Sequence, residues 1–208
     1  MSSSLVSLAS LLGISFASGV NLYAAVLVVG LGIRYHWLTG LPPELAPLSH
    51  PLVLAVAAVL YCVEFFADKI PVVSAVWDSV HTFVRPLGAV VIALTAASHL
   101  SPVDQTIAAL TGGAVALTSH ATKMGVRLLA HGTGEPFTQA ALSAGEDVLA
   151  VTLVMLVSRH PYIALAIVCL LLVLIACLLP LLWRAIRGVL RGIGRWWTRW
   201  FGPRAVHG

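Results

Sequence analysis

The sequence predicts an all-α fold, a polytopic bundle of transmembrane helices, and three observations carry that expectation. Apolar residues make up 59% of the chain and charged residues only 10%. Soluble domains run near ~45–50% and ~25%, so water is the wrong solvent for most of this surface. The apolar residues gather into runs near the ~20 residues a helix needs to cross a bilayer. No strand pattern of the barrel type, with roughly ten-residue alternating segments, competes with them.

Punctuation by Pro, Gly and charge divides the chain into six expected spans. They are Leu5–Ile33, Pro51–Ala67, Val80–Leu100, Val103–Thr122, Ala140–Val157 and Tyr162–Trp183. The first run is long for an upright span, about 29 residues or roughly 43 Å. Ser18-Gly19-Val20-Asn21 interrupts it midway, and two readings stand: a continuous tilted helix, the simpler one, or a helix broken at Gly19. The second and fifth spans are short. The third carries Pro86 near its start, so a kink or a later start is expected there. Ala89, Ala93 and Ala97, Ala109 with Gly113, and Gly112 with Ala116 recur every fourth residue and predict close packing seams on spans three and four. Residues 1–183 thus form one transmembrane bundle, and residues 184–208 a basic amphipathic cytoplasmic tail.

Orientation follows from charge. Lys69, Arg85, Lys123, Arg127 and the six C-terminal arginines fall on one face, and only Arg34 and Arg159 on the other. Ten basic residues against two predict that the first face is cytoplasmic, and six spans place both termini there. Met1-Ser2-Ser3-Ser4-Leu5 lacks the basic n-region of a cleaved signal peptide, so the first run is expected in the mature protein. Cys62, Cys169 and Cys177 lie inside apolar runs and read as small hydrophobes.

In the tail, Arg184, Arg187, Arg191, Arg195 and Arg199 share one helical face, opposite Ile186, Val189, Leu190, Ile193, Trp196, Trp197 and Trp200. Such a C-terminal amphipathic helix is expected to lie in the cytoplasmic interface. Its tryptophans would sit at the headgroup boundary and its arginines among anionic phospholipids, at about 1 kcal/mol per charge. Gly188, Gly192 and Gly194 weaken it in water. A disordered basic tail is the plainer alternative; nucleic acid is not an expected partner, because the tryptophans need burial.

Ionisable residues in or beside spans are costly, and they are where a function is sought. Glu64 and Asp68 share a face and are followed by Lys69; Asp78, His81 and Arg85, and likewise His120, Lys123 and Arg127, are spaced three and four apart on single faces. Gly145-Glu146-Asp147 opens the fifth span, and Asn21 sits within the first. Five acids against four bases leave a net of minus one, close to a mutually paired network. Two readings remain open: pairs that hold the cytoplasmic loops together, or a polar path for a small ion or solute. Adjacent Lys and Arg argue against a metal. His36, His50, His99 and His160 fall on the opposite face without ligand-like spacing.

There is no Walker loop, no His-Glu-x-x-His and no Gly-x-Ser-x-Gly, so enzymatic activity and a cofactor lack support. The sequence therefore favours a passive or proton-coupled transporter or channel, with a non-transporting scaffold or anionic-lipid-binding protein as the alternative. A homo-oligomer is compatible with either.

Several segments taken together are specific: Gly19-Val20-Asn21-Leu22-Tyr23, Glu64-Phe65-Phe66-Ala67-Asp68-Lys69-Ile70-Pro71, Asp78-Ser79-Val80-His81-Thr82, Ser119-His120-Ala121-Thr122-Lys123, Glu135-Pro136-Phe137 and Gly145-Glu146-Asp147. On these the chain, over Leu5 to Trp183, resembles the domain of unknown function 4126 family. The resemblance implies a multi-pass membrane protein of bacterial type and carries no activity with it; the expected location is the bacterial inner membrane.

Overall fold

The computed structural model describes residues 3–131 and 136–201. Seven α-helices follow one another: α1 (Ser3–Val20), α2 (Leu22–Arg34), α3 (Pro51–Ala67), α4 (Pro71–Ala96), α5 (Pro102–His131), α6 (Pro136–Arg159) and α7 (Pro161–Phe201), with a 3₁₀ helix at Pro43–Ser49 before α3. No strand occurs among the described residues. Proline opens each helix from α3 to α7. At the first helical position its missing N–H costs nothing and its fixed φ suits the turn.

The first expected span is not one helix. Asn21 is extended (φ −148°, ψ 103°), and its side chain caps α2 by accepting from the Ala24 N–H at 2.9 Å. The short polar side chain at Asn21, which can replace the lost helical hydrogen bond, places the break there rather than at Gly19. After the break the chain turns back. Gly13 of α1 packs against Val157, while Gly40, just beyond α2, packs against Ser158. Ser10 and Leu11 line a small void with Leu45, and Gly30 lies against Leu48. A straight continuation would hold Gly13 and Gly32 about 28 Å apart, which these shared neighbours forbid. α1 and α2 therefore form a helical hairpin. Both outer ends lie at the end of the bundle bearing His99 and His160, and the tip at Asn21 reaches its middle.

Three helices are long and apolar enough to cross a membrane: Val72–Ala96, Phe137–Arg159 and Pro161–Pro180. Pro43–Ser49 with Pro51–Ala67, bent by 66°, adds a fourth if the pair is one span. Outward faces are apolar. On α4, Val72, Val76, Val80, Phe83, Leu87 and Val91 are 56–76% exposed, whereas Ser74, Asp78, His81 and Arg85 are at most 4% exposed. Apolar outside and charged inside inverts the soluble pattern and suits a lipid surround.

Three expected boundaries move. α4 begins at Pro71 instead of Val80 and runs through Pro86. α5 continues past Thr122 to His131, and α6 starts at Pro136 rather than Ala140. The first two extensions draw Asp78, Lys123 and Arg127, which lay beyond the expected spans, into helix interiors. Paired charges can be packed there, which reasoning from the cost of isolated charges misses.

The small-residue seam is as expected. Gly112 lies against Ala93 and Ser15, Gly113 against Val90, and Ala89, Ala93 and Ala116 are buried. Gly19 meets the backbone of Ala116, so the hairpin tip touches α5 with no space for a side chain. α7 does not stop at Trp183; it runs unbroken through Pro180 to Phe201, 41 residues or about 61 Å. No helix boundary separates bundle from tail.

Candidate functional site

The hairpin tip meets a buried network of charges contributed by four other helices. The break at Asn21 frees carbonyls at the end of α1, where the helix dipole is negative, and two cations take them. Arg85 Nη1 donates to the Gly19 carbonyl at 3.2 Å and Lys123 Nζ to the Val20 carbonyl at 3.1 Å. At the start of α2, where the dipole is positive, Asn21 Nδ2 donates to Asp147 Oδ1 at 2.8 Å.

Arg127 organises the largest part. Its guanidinium forks onto Asp68, 2.7 Å to each oxygen, and its Nε donates to Glu146 Oε1 at 2.9 Å. It also bonds Glu146 Oε2 and Ser74 Oγ, while Ser143 Oγ donates to Asp68 at 3.2 Å. Bidentate Arg–carboxylate geometry is the strongest form such a pair takes. Arg85 Nη2 donates to Glu64 Oε1 at 2.7 Å and lies 3.6 Å from Asp78. Lys123 joins the two parts, 3.0 Å from Glu146 and 3.5 Å from Glu64. Glu64 and Arg85 are wholly buried, and Arg127 is 2% exposed.

Hydrogen-bond logic assigns one histidine. Arg85 can only donate, so His120 Nδ1, 2.7 Å from Arg85 Nη1, must accept. The Asp78 carbonyl can only accept, so His120 Nε2, 3.1 Å away, carries the hydrogen. His120 is therefore neutral. His81 Nδ1 donates to the Trp77 carbonyl at 2.7 Å, and its Nε2 faces the Tyr23 hydroxyl at 2.8 Å. Tyr23 can donate or accept, so His81 alone of the two retains a switchable nitrogen. Trp77 stacks on it with ring centroids 4.3 Å apart.

Eleven of the twelve residues expected in a polar cluster come together; Lys69 does not. Its Nζ donates to the Phe65 carbonyl at 3.0 Å, sits over the Phe65 ring, and is exposed. Without it the count is five carboxylates (Glu64, Asp68, Asp78, Glu146, Asp147) against three cations (Arg85, Lys123, Arg127), a formal net of minus two instead of minus one. The excess has an address. Asp147 accepts from Asn21 and from the Tyr61 hydroxyl at 3.1 Å, both neutral, and forms no ion pair within 4.0 Å among the described residues. Glu64 Oε2 is buried and has no hydrogen-bond partner among the described residues.

Two crevices lead to this network. One of about 490 Å³, walled mainly by apolar side chains of α1, α5, α6 and α7, reaches Lys123 and Glu146 beside Gly145. Another of about 360 Å³ between α4 and α5 reaches Asp78 and Arg127.

Tyr23, Tyr61, Ser74, Trp77 and Ser143 were not singled out from sequence. Spacing held the signal for several: Ser74 extends Asp78, His81 and Arg85 by one turn, and Tyr61 shares a face with Glu64 and Asp68. At the other end, His99 Nδ1 lies 2.9 Å from Glu44, and His50 caps α3. No group of three His, Cys, Asp or Glu suited to a metal occurs among the described residues. Of the tail residues, Arg184, Arg187 and Arg191 are exposed, and Arg187 sits over Trp183. The side chains of Arg195, Trp196, Trp197, Arg199 and Trp200 lie outside the described residues.

None of the curated proteins matches the chain, and none of the solved structures does. The model of one family, described as Domain of unknown function (DUF4126), matches residues 8–181, and the chain belongs to that family.

Proposed function

We propose that this membrane protein is a transporter or channel that passes a small ion or solute along the polar core, past the tip of the α1–α2 hairpin. The observation that supports this most is the hairpin itself. Broken helices at membrane depth leave backbone groups without helical partners, and they are tolerated where they line a protein interior or a path. Here the freed carbonyls face a network with more acid than base. A network serving only to hold helices together gains nothing from an uncompensated carboxylate.

The same hairpin revises the topology. With α5, a 30-residue helix, counted beside the four named above, the bundle is a multi-pass protein of the bacterial inner membrane with five crossings, α3 to α7, and a re-entrant α1–α2 pair. Arg85, Lys123 and Arg127 are buried inside the bundle and do not count as loop charges, so the ten-to-two asymmetry becomes seven to two. It still assigns Lys69 and the end of α7 to the cytoplasm, and the start of α1 to the opposite side. Reporter fusions test this: a periplasmic signal at Ser3 and a cytoplasmic one at His207 are expected, and two cytoplasmic signals would restore six spans.

Function is tested by flux in sealed vesicles containing the purified protein and an internal ion or pH indicator. The protein should speed the decay of an imposed gradient, Asp147→Asn should abolish the effect, and decay no faster than in empty vesicles would remove transport.

A second reading, a scaffold that binds anionic phospholipids, draws on exposed Arg184, Arg187 and Arg191 on one face of α7. It predicts binding to anionic but not neutral vesicles, with no flux.

A further inference from the structure

We propose that Glu64 and Asp147, at the tip of the hairpin, together carry one exchangeable proton. The inference rests on the reading of the polar core as a path and names the ion that it loads. Three independent observations converge on this pair. The first is the charge balance: three cations cannot neutralise five buried or half-buried carboxylates, His120 is held neutral by Arg85 and the Asp78 carbonyl, and even a protonated His81 would leave an excess of one. An excess of charge in a medium without water is costly, and uptake of a proton relieves it.

The second is where the balance fails. Asp68, Glu146 and Asp78 each lie within 4.0 Å of Arg127, whereas Asp147 has only Asn21 and Tyr61. The third is an orphan oxygen; of the two in the network, Asp78 Oδ1 at least lies 3.6 Å from the Arg85 guanidinium. Glu64 Oε1 serves both Arg85 and Lys123, but Oε2 is buried with no hydrogen donor among the described residues. A carboxylate oxygen accepts only, so what it lacks is a hydrogen. The two acids share neighbours: Tyr61, one turn before Glu64 on α3, donates to Asp147, and Lys123 lies against both Glu64 and Glu146, the residue before Asp147. A proton taken up by this pair lowers the excess charge, and on Glu64 Oε2 it supplies the missing hydrogen.

The other groups facing the pair favour a proton over a metal ion. Lys123 and Arg85 adjoin Glu64, and Lys123 also pairs with Glu146, the residue before Asp147. Both oxygens of Asp147 already accept from neutral donors. A hard cation needs about six oxygens converging on it, and this pair offers no such shell. A proton needs one. Its route is the crevice of about 490 Å³ that ends at Lys123 and Glu146, next to Asp147 in sequence.

The test is infrared spectroscopy of the purified protein in lipid, reading the C=O stretch of un-ionised carboxylic acids at neutral pH and its loss as pH rises. Wild type should show one such acid. Asp147→Asn or Glu64→Gln should remove it, and Asp104→Asn, at an exposed surface acid, should leave it unchanged. Tyr61→Phe keeps both carboxyls and should shift the band by removing a hydrogen-bond donor, which covers the case in which the other variants do not fold.

Fully ionised carboxylates in wild type at neutral pH would overturn the proposal. So would a rise in melting temperature of about 5 °C or more with sodium at constant pH and ionic strength, because that assigns the charge to an alkali cation. An acid signal without flux leaves the proton site standing and removes transport. Flux without the signal removes the proton site and leaves transport.

Discussion

The surroundings of Arg127 and of Asp147 are two parts of one polar core built on opposite rules. Around Arg127, charges are matched: Asp68 and Glu146 take its nitrogens, Ser74 and Ser143 complete the hydrogen bonds, and Lys123 closes the ring. Around Asp147 the partners are an amide and a phenol. A matched set ties α3, α4, α5 and α6 together and holds its members in place. An unmatched carboxylate contributes little to cohesion, and its charge state is free to change. The difference suggests that the first region positions the helices and the second is where the chemistry occurs.

Breaking the matched region should have the largest effect. Arg127→Leu removes a cation that is 2% exposed and leaves Asp68, Glu146 and Asp78 facing one another. Uncompensated buried charges of this kind cost about 3–5 kcal/mol. The expected outcome is loss of monodisperse protein on size-exclusion chromatography, or a melting temperature lowered by about 10 °C. A variant that purifies and melts like wild type would mean that the network does not hold the bundle.

Asn21→Ala sharpens the comparison from the other side, because Asn21 belongs to both the hairpin and the site. Its oxygen caps α2, and its amide nitrogen is one of two donors to Asp147. Loss of an N-cap costs about 1 kcal/mol, so melting should fall by only a few degrees. Gradient decay in vesicles should change by more than that stability loss explains, since Asp147 is left with Tyr61 alone. Unchanged flux would detach the hairpin tip from the path.

Much of this was legible in the sequence, and the parts that were not share a physical cause. Helical class and the small-residue seam at Ala89, Ala93, Gly112 and Gly113 follow from composition and spacing, which are local properties. The faces of Asp78, His81 and Arg85 and of His120, Lys123 and Arg127 were readable too, because residues three and four apart must share a side. What failed was depth. Charges were assigned to span ends because an isolated charge in lipid is expensive, yet these are paired across helices, and no one-dimensional pattern reports that. The hairpin was hidden for a similar reason: whether a chain continues or turns back at Asn21 depends on Val157, Ser158 and Leu48, far away in sequence. Lys69 was misplaced by adjacency to Asp68.

Lys69 also gives the comparison its smallest test, one that bears on the charge count itself. With Lys69 in the network the core would hold five acids and four bases, nearly matched everywhere, and Asp147 would lose its distinction. With Lys69 outside, over the Phe65 ring, the imbalance of two stands. An exposed cation–π contact and one bond to a carbonyl are weak, so Lys69→Ala should shift melting by no more than about 2 °C. Flux and its pH dependence should match wild type, because no carboxylate loses a partner. A large drop in stability, or a changed pH profile, would return Lys69 to the network and with it the fourth base. The argument for an uncompensated carboxylate at the hairpin tip would then lose half of its imbalance, while the geometry around Arg127 would be untouched.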